Sequence, residues 1–411
     1  MRPVIPLFFL TLTTLSAQTE LGLQAFYPFQ SNLGDAAGNP NNLGVPEGVV
    51  DFDCAIDGEG LLLTSPGDFV RIPGGGSENV NRVFRDEDFT VSLYFKPSGS
   101  TDNQILLAKR DTNCTSGQYF EIRYAGRTRA LAVILRQDLV AATLTYQITN
   151  RSCWQQVTVT REDTRVRLYV NGEEVGSTST SNPVNVDNDG DLLIGATTCP
   201  DPLDRSFAGL IDELRIYNRA LPPDEVRELY ASPDRILTAD TPIFLGESID
   251  VNTNISCNPR IRWAPAADVT EPDEAEPTIR PSAAGRQTYI LRVTDGRSGC
   301  VAEDELILTV IDPDSLDCSQ IFLPKAFTPN GIGPEANETF GIANPFAVSD
   351  LEVFEIFDRY GARVYRTSNP FRRWDGTYGG EPVQPSVLLW RIVYTCEGQQ
   401  VVRTGPVTLL R

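Results

Sequence analysis

Histidine is absent from this 411-residue chain, and the single methionine is residue 1. Without imidazole there is no ordinary general base near neutral pH, no Ser-His-Asp or Cys-His arrangement, and none of the commonest zinc ligand. The usual hydrolase mechanisms are therefore closed, and only chemistry by paired carboxylates stays open. Positive charge is scarce as well. Lys and Arg number 35 against 55 Asp and Glu, a net charge of −20, which argues against nucleic acid as a partner because phosphate binding needs clustered cations. From Cys318 onward nine basic face nine acidic side chains, so the acidity belongs to the front of the chain and reads as solvated surface. No apolar run approaches the roughly eighteen residues of a membrane span, so no transmembrane segment is expected.

What is present begins with an export signature. Arg2 precedes the apolar run Val4–Leu10, and Leu15-Ser-Ala17 ends on the small residue expected at a signal-peptidase site. A signal peptide over residues 1–17 and a mature chain from Gln18 are expected. Eight cysteines in an exported chain without any Cys-x-x-Cys pair read as disulfides rather than metal or redox groups.

From Leu23 on, short alternating or apolar runs recur between Gly, Asn, Asp and Pro clusters, the pattern of an all-β fold. Phe89–Phe95, Gln104–Ala108, Leu131–Leu135, Trp154–Thr160 and Val166–Val170 read as strands, and Asn171-Gly172 as a tight hairpin turn. One helix is expected, over Pro223–Tyr230, with Pro and acids in its first turn. So many strands in about two hundred residues imply two stacked sheets, a jelly-roll. After Ser232-Pro-Asp234, shorter strands at Arg260–Trp263, Gln287–Val293 and Glu305–Val310 suggest a second sandwich over 235–312. The acidic run Asp268–Glu276 reads as an exposed loop. Asp312-Pro-Asp314 is a linker to a third region, 318–411, whose alternating runs Leu351–Phe357 and Ala362–Arg366 flank a turn at Asp358–Gly361.

Three resemblances follow from these stretches. Gly22–Phe29, Leu168–Gly172, Leu193–Gly195 and above all Phe207–Leu221 make residues 18–231 resemble the laminin-G-like, concanavalin-A-like jelly-roll family. The order Cys257, Trp263, Tyr289 and Cys300 makes the middle resemble the broad immunoglobulin-like or polycystic-kidney-disease-type class. Ala326–Gly331, Ile356–Gly361, Trp374-Asp-Gly376 and Gly405–Arg411 make the tail resemble the gliding-motility-associated C-terminal domain, the type B sorting signal of type IX secretion in Bacteroidota. The first resemblance implies glycan binding or adhesion, and the last implies the type IX secretion machinery as partner and a secreted or cell-surface destination.

Many members of the jelly-roll family carry a bracing calcium ion. Asn32 and Asp35, in an acidic loop, and Asp212, in the Gly-Leu-Ile-Asp-Glu signature, are the oxygen donors that would hold one. Equally open are an Asx-turn at Asp35 and a structural hydrogen bond at Asp212. The stretch Asp187–Asp191 looks like half an EF-hand loop, but Thr198 stands where a bidentate Glu is needed, so it reads as a solvated turn.

If bridges stay within domains, three pairings are open for the four jelly-roll cysteines. The set Cys114–Cys153, Cys54–Cys199, Cys257–Cys300 and Cys318–Cys396 is the expectation, the first chosen because its members close the edges of neighbouring strands. No closely spaced acid strand supports catalysis; Asp51, Asp53, Asp212 and Glu213 come nearest. The functional expectation is a non-enzymatic exported glycan-binding or adhesive protein. A carbohydrate-active enzyme on the same fold and a ligand-free spacer are the alternatives. Of the aromatics available to a sugar, Tyr119, Tyr124, Trp154 and Tyr169, strand phase buries some.

Overall fold

The computed structural model describes residues 20–411 apart from 75–77, 86–87, 116, 333 and 349. The expected signal peptide lies outside the described residues. The chain divides into two compact units, Met1–Ser282 with Arg286–Thr309, and Ala283–Gly285 with Val310–Arg411.

Alternation of side chains builds the jelly-roll of the first unit. In Ala130–Gln137 the apolar residues Leu131, Val133 and Leu135 all point inward, as a period of two requires. Two eight-stranded sheets result. The first runs Glu173–Ser179, Arg165–Val170, Gln155–Glu162, Phe89–Pro97, Gly209–Tyr217, Glu59–Leu63, Val50–Cys54, with Leu23–Tyr27 also on Gly209–Tyr217. The second runs Val140–Gln147, Ala130–Gln137, Gln118–Ala125, Asn103–Arg110, Leu192–Ile194, Phe69–Ile72, Val45–Glu47, with Asp204–Ser206 also parallel to Asn103–Arg110. Between them lies one apolar core that includes Phe84, Phe89, Leu93, Leu107, Phe120, Ile122 and Leu168. The Asn171-Gly172 turn has positive φ at both residues, 52° and 79°, the primed geometry that suits the twist of a two-residue hairpin. The helix Pro223–Glu228 seats Val226 against Tyr169, Tyr217 and Leu221.

The middle strands form a four-stranded sheet, Thr241–Phe244, Val301–Ile311, Gly285–Thr294, Arg260–Ala264, and a three-stranded one, Ile249–Asp250, Thr278–Ile279, Val269–Thr270. Trp263, Ile279, Tyr289, Leu291, Leu306 and Leu308 are buried there. The acidic run is more than an exposed loop. Asp268 accepts the Tyr289 hydroxyl at 2.9 Å, and the Glu274 carbonyl accepts Trp263 Nε1 at 3.0 Å, so it closes over the aromatic core.

Three of the four expected disulfides are corrected. Cys54 bonds Cys257, Cys114 bonds Cys199 and Cys153 bonds Cys300, with Cα–Cα distances of 5.3, 5.4 and 5.9 Å. The expectation failed because it confined bridges to domains. Trp263 and aliphatic side chains fill the middle core without a disulfide, while Cys257 sits in a loop at φ 69° and Cys300 just ahead of a strand, both turned toward the jelly-roll. Lys96 completes that junction. It projects from the outward face of the first sheet beside Leu62, Tyr94 and Leu210, lies 5.1 Å from the Trp154 ring centroid and meets Asp295 at 2.6 Å. Arg297–Asp53, at 2.6 Å, and Arg151–Glu303 add further ion pairs.

The junction carries an acid-dependent contribution to stability. Burial raises Asp234 to about 6 against the pull of Lys96, while hydrogen bonds from Lys96 and Ser298 overcome burial and hold Asp295 at about 2. The Asp234 contribution is full below its ordinary 3.8 and is lost as pH rises through about 6. That of Asp295 is present above 3.8 and is lost as pH falls through about 2. Urea unfolding of the wild type is expected to show a steeper loss of stability from about pH 4 to about pH 7 than Asp234→Asn, whose profile lacks that component. Identical slopes would contradict the assignment.

In the second unit the strands Ala326–Phe327, Gln399–Leu409, Ser386–Cys396, Asp350–Phe357, Arg363–Thr367 form one sheet in that order. Phe327, Phe340, Phe354, Ile356, Trp374, Leu388, Tyr394 and Val407 make its core. Asp358 Oδ1 accepts the N–H groups of Tyr360 and Ala362, both at 2.8 Å, and Gly361 takes φ 85°, which sets the hairpin reversal. Cys318 bonds Cys396 with Cα–Cα 5.6 Å.

Candidate functional site

The outward face of the second jelly-roll sheet gathers charged and aromatic side chains in register. Arg110 pairs opposite Tyr119 and Tyr119 opposite Arg136, so the three stand in one row across three strands. The Arg110 guanidinium lies 4.3 Å from the Tyr119 ring centroid, within cation–π range. Two residues along the strand, fully buried Glu121 accepts from Arg110 at 3.3 Å, Arg123 at 2.6 Å and the Thr197 hydroxyl at 2.8 Å. Arg123 continues to Asp201 and Asp204, each at 3.0 Å. Burial works against the Arg123 charge, but Glu121, Asp201 and Asp204 outweigh it and hold the guanidinium above its ordinary value. Cys114–Cys199 ties together the loops on either side.

These groups line a cleft of about 550 Å³ with walls from Arg110, Thr115, Tyr119, Arg123, Arg136 and Asp201. A second cleft, about 590 Å³, shares Asp138 and Leu139 with it and adds Arg85, Arg161 and Asn185, but no aromatic wall. Leu139, 98% exposed, tops the hairpin between them. Of the four aromatics open to a sugar, Tyr119 alone faces outward on this cleft. Tyr124 lies in the core, Trp154 against Leu62 and Tyr94, and Tyr169 under the helix.

The expected calcium donors do not fit a cation. Asp35 Oδ1 accepts the N–H groups of Phe26 and Ala37, both at 2.8 Å, while Oδ2 accepts Asn42 Nδ2 at 2.7 Å and Asn39 N at 3.3 Å. Asn32 Oδ1 accepts Gly34 N at 2.8 Å. Asp212 Oδ2 accepts Ile56 N at 3.0 Å and Asp57 N at 3.4 Å, and Oδ1 accepts Glu213 N at 2.7 Å. Each side chain thus ties down backbone, Asp35 as an Asx-turn and Asp212 through a bulge in which Glu213 has φ 52°. Burial first, then neighbouring Glu213, raises Asp212 to about 8. Among the described residues, no group of three or more His, Cys, Asp or Glu is placed to hold a metal ion.

Sequence reasoning missed Lys109. Its ammonium is fully buried and donates to the carbonyls of Asn188, at 2.9 Å, and Gly190. Burial lowers it to about 8, while Asp187, Asp191 and Asp189 resist that shift. The Asp187–Asp191 stretch is therefore an ordered loop built around an amine.

These features define an all-β protein whose leading jelly-roll presents a polar cleft and whose tail folds as a separate sandwich. Residues 70–227 match the family model of the concanavalin A-like lectin/glucanases superfamily, and residues 321–409 match the CHU_C type IX secretion signal domain. The jelly-roll is thus a concanavalin A-like domain, and the tail is a type IX sorting domain served by that secretion machinery. The protein is secreted or displayed at the cell surface. Among solved structures the chain is similar to domain 4 of AbnA, a GH43 extracellular arabinanase from Geobacillus stearothermophilus, at 22% identity, 51% of this chain, 98% of that chain and TM-score 0.41. It is similar to the CBM40 of the Ruminococcus gnavus IT-sialidase at 16% identity, covering 42% and 96%, TM-score 0.36. It is also similar to the receptor binding domain of botulinum neurotoxin C/D mosaic serotype, at 12% identity, 93% and 73%, TM-score 0.44.

Proposed function

We propose that this protein is a non-enzymatic glycan-binding protein, in which the jelly-roll of residues 18–231 holds the saccharide, residues 235–312 brace it and residues 318–411 direct export. The observation that carries this reading is the row Arg110–Tyr119–Arg136 above the buried Glu121 network. Sugars offer weakly apolar ring faces and hydroxyls that both donate and accept. A half-buried tyrosine beside Arg136, Thr115 and Asp201 answers both needs on a rigid sheet. The nearest acid pair, Asp212 with Glu213, is buried and spends its oxygens on backbone N–H groups and Arg215. That placement suits structure better than attack on a glycosidic bond.

Tyr119→Ala is expected to weaken binding of the selected polysaccharide at least tenfold, roughly 1.4 kcal/mol. Isothermal titration of the full chain checks this, with circular dichroism to show that the fold is kept. Unchanged affinity would overturn the placement of the site.

A further inference from the structure

The six cysteines of the first unit do not pair in the order in which they occur. The bridge Cys114–Cys199 encloses Cys153, the bridge Cys153–Cys300 encloses Cys199 and Cys257, and the bridge Cys54–Cys257 encloses three cysteines. In the tail, Cys318–Cys396 encloses none. From this connectivity we propose that maturation of the protein requires a thiol–disulfide isomerase of the export compartment. Its substrates are the six cysteines of the first unit.

An exported chain reaches the oxidising compartment with its amino end leading. Cys54, on an exposed edge strand, then meets Cys114 well before Cys257 arrives. Loop-closure probability falls with about the three-halves power of length, so 60 residues (114 − 54) close about sixfold more readily than 203 (257 − 54). Cys153 faces the same bias, 39 residues to Cys114 against 147 to Cys300, about sevenfold. Folding of the jelly-roll cannot correct either error by itself, because both native partners, Cys257 and Cys300, lie in loops of the middle region.

Each bridge forms when two thiols pass two electrons and two protons to the disulfide of a thiol oxidase, which becomes a dithiol. Correction needs no further oxidant. A catalyst thiolate attacks a wrong bridge, giving a mixed disulfide and one free protein thiolate. That thiolate attacks another bridge, and a final protein thiolate displaces the catalyst unchanged.

The test expresses the full chain in bacteria with and without a periplasmic disulfide isomerase, each with its thiol oxidase intact, and maps bridges by non-reducing peptide analysis. A third strain carries an isomerase whose second active-site cysteine is replaced by alanine, which traps mixed disulfides. Without isomerase the native set of three bridges is expected to fall toward about one molecule in fifteen, the statistical yield for six thiols. The trap is expected to capture the wild type. A variant with Cys54, Cys153, Cys257 and Cys300 all changed to Ser keeps two bridges between successive cysteines and is expected to be neither trapped nor isomerase-dependent. Should that variant fail to fold, Cys54→Ser with Cys257→Ser leaves two interlaced bridges and is expected to remain dependent. Equal native yield in both hosts with no trapped adduct would overturn the proposal.

Discussion

A chain ending at Asp317 is expected to accumulate, folded, in the periplasm of a host with type IX secretion, while the full chain reaches the surface or medium. The tail is a compact unit with its own core around Phe327, Phe354 and Trp374 and its own bridge, Cys318–Cys396. The cut removes both of those cysteines and leaves no unpaired thiol. It also spares Val301–Ile311, the last strand of the middle sheet, so the other three bridges and the Lys96–Asp295 contact survive. Fractionation with protease shaving of intact cells reads the outcome. The expected surface signal for the shortened chain is zero, and normal delivery would contradict the role of the tail.

Glu121→Ala is expected to be the most damaging single change on the cleft face. The carboxylate is fully buried and receives Arg110, Arg123 and Thr197. Arg123 keeps Asp201 and Asp204, but Arg110 makes no other ion pair among the described residues. Removing one member of a buried ion network leaves its partners desolvated without compensation, at a cost of about 3–5 kcal/mol. Replacing Glu121 and Arg110 together by leucines removes acid and base at once and should recover part of that loss, since a matched apolar pair avoids the orphaned charge. Urea denaturation of the three proteins measures it. A loss below about 1 kcal/mol for Glu121→Ala would show that the network is solvated like an ordinary surface pair.

The alternation of Phe89–Phe95 and Leu131–Leu135, the Asn171-Gly172 turn and the alternating runs and turns of the tail made the β architecture readable, because period and turn chemistry are local properties. Tyr119 was not singled out among the four aromatics, although the phase of Gln118–Ala125 carries the signal. Phe120, Ile122 and Tyr124 form one apolar phase of Gln118–Ala125 and leave Tyr119, Glu121 and Arg123 on the other. What escaped was long-range. Cys54 and Cys257 are 203 residues apart, and their meeting depends on which face of one sandwich receives the loops of another. The buried positions of Lys109 and Glu121 escaped because charged residues are ordinarily exposed, and only the assembled Asn188 and Gly190 carbonyls, or Arg110 and Arg123, make their burial tolerable. The hydrogen bonds of the expected calcium donors escaped on the same ground, since side-chain identity did not reveal which N–H groups Asp35 and Asp212 would accept.

The most direct test offers the purified full chain to a panel of immobilised polysaccharides beside Tyr119→Ala and Arg136→Ala, assaying both retention and reducing ends released. The account predicts that the wild type is retained on at least one polysaccharide without releasing sugar, and that both variants lose retention while keeping wild-type unfolding profiles. Release of reducing ends by the wild type, or variants retained as strongly as the wild type, would contradict it.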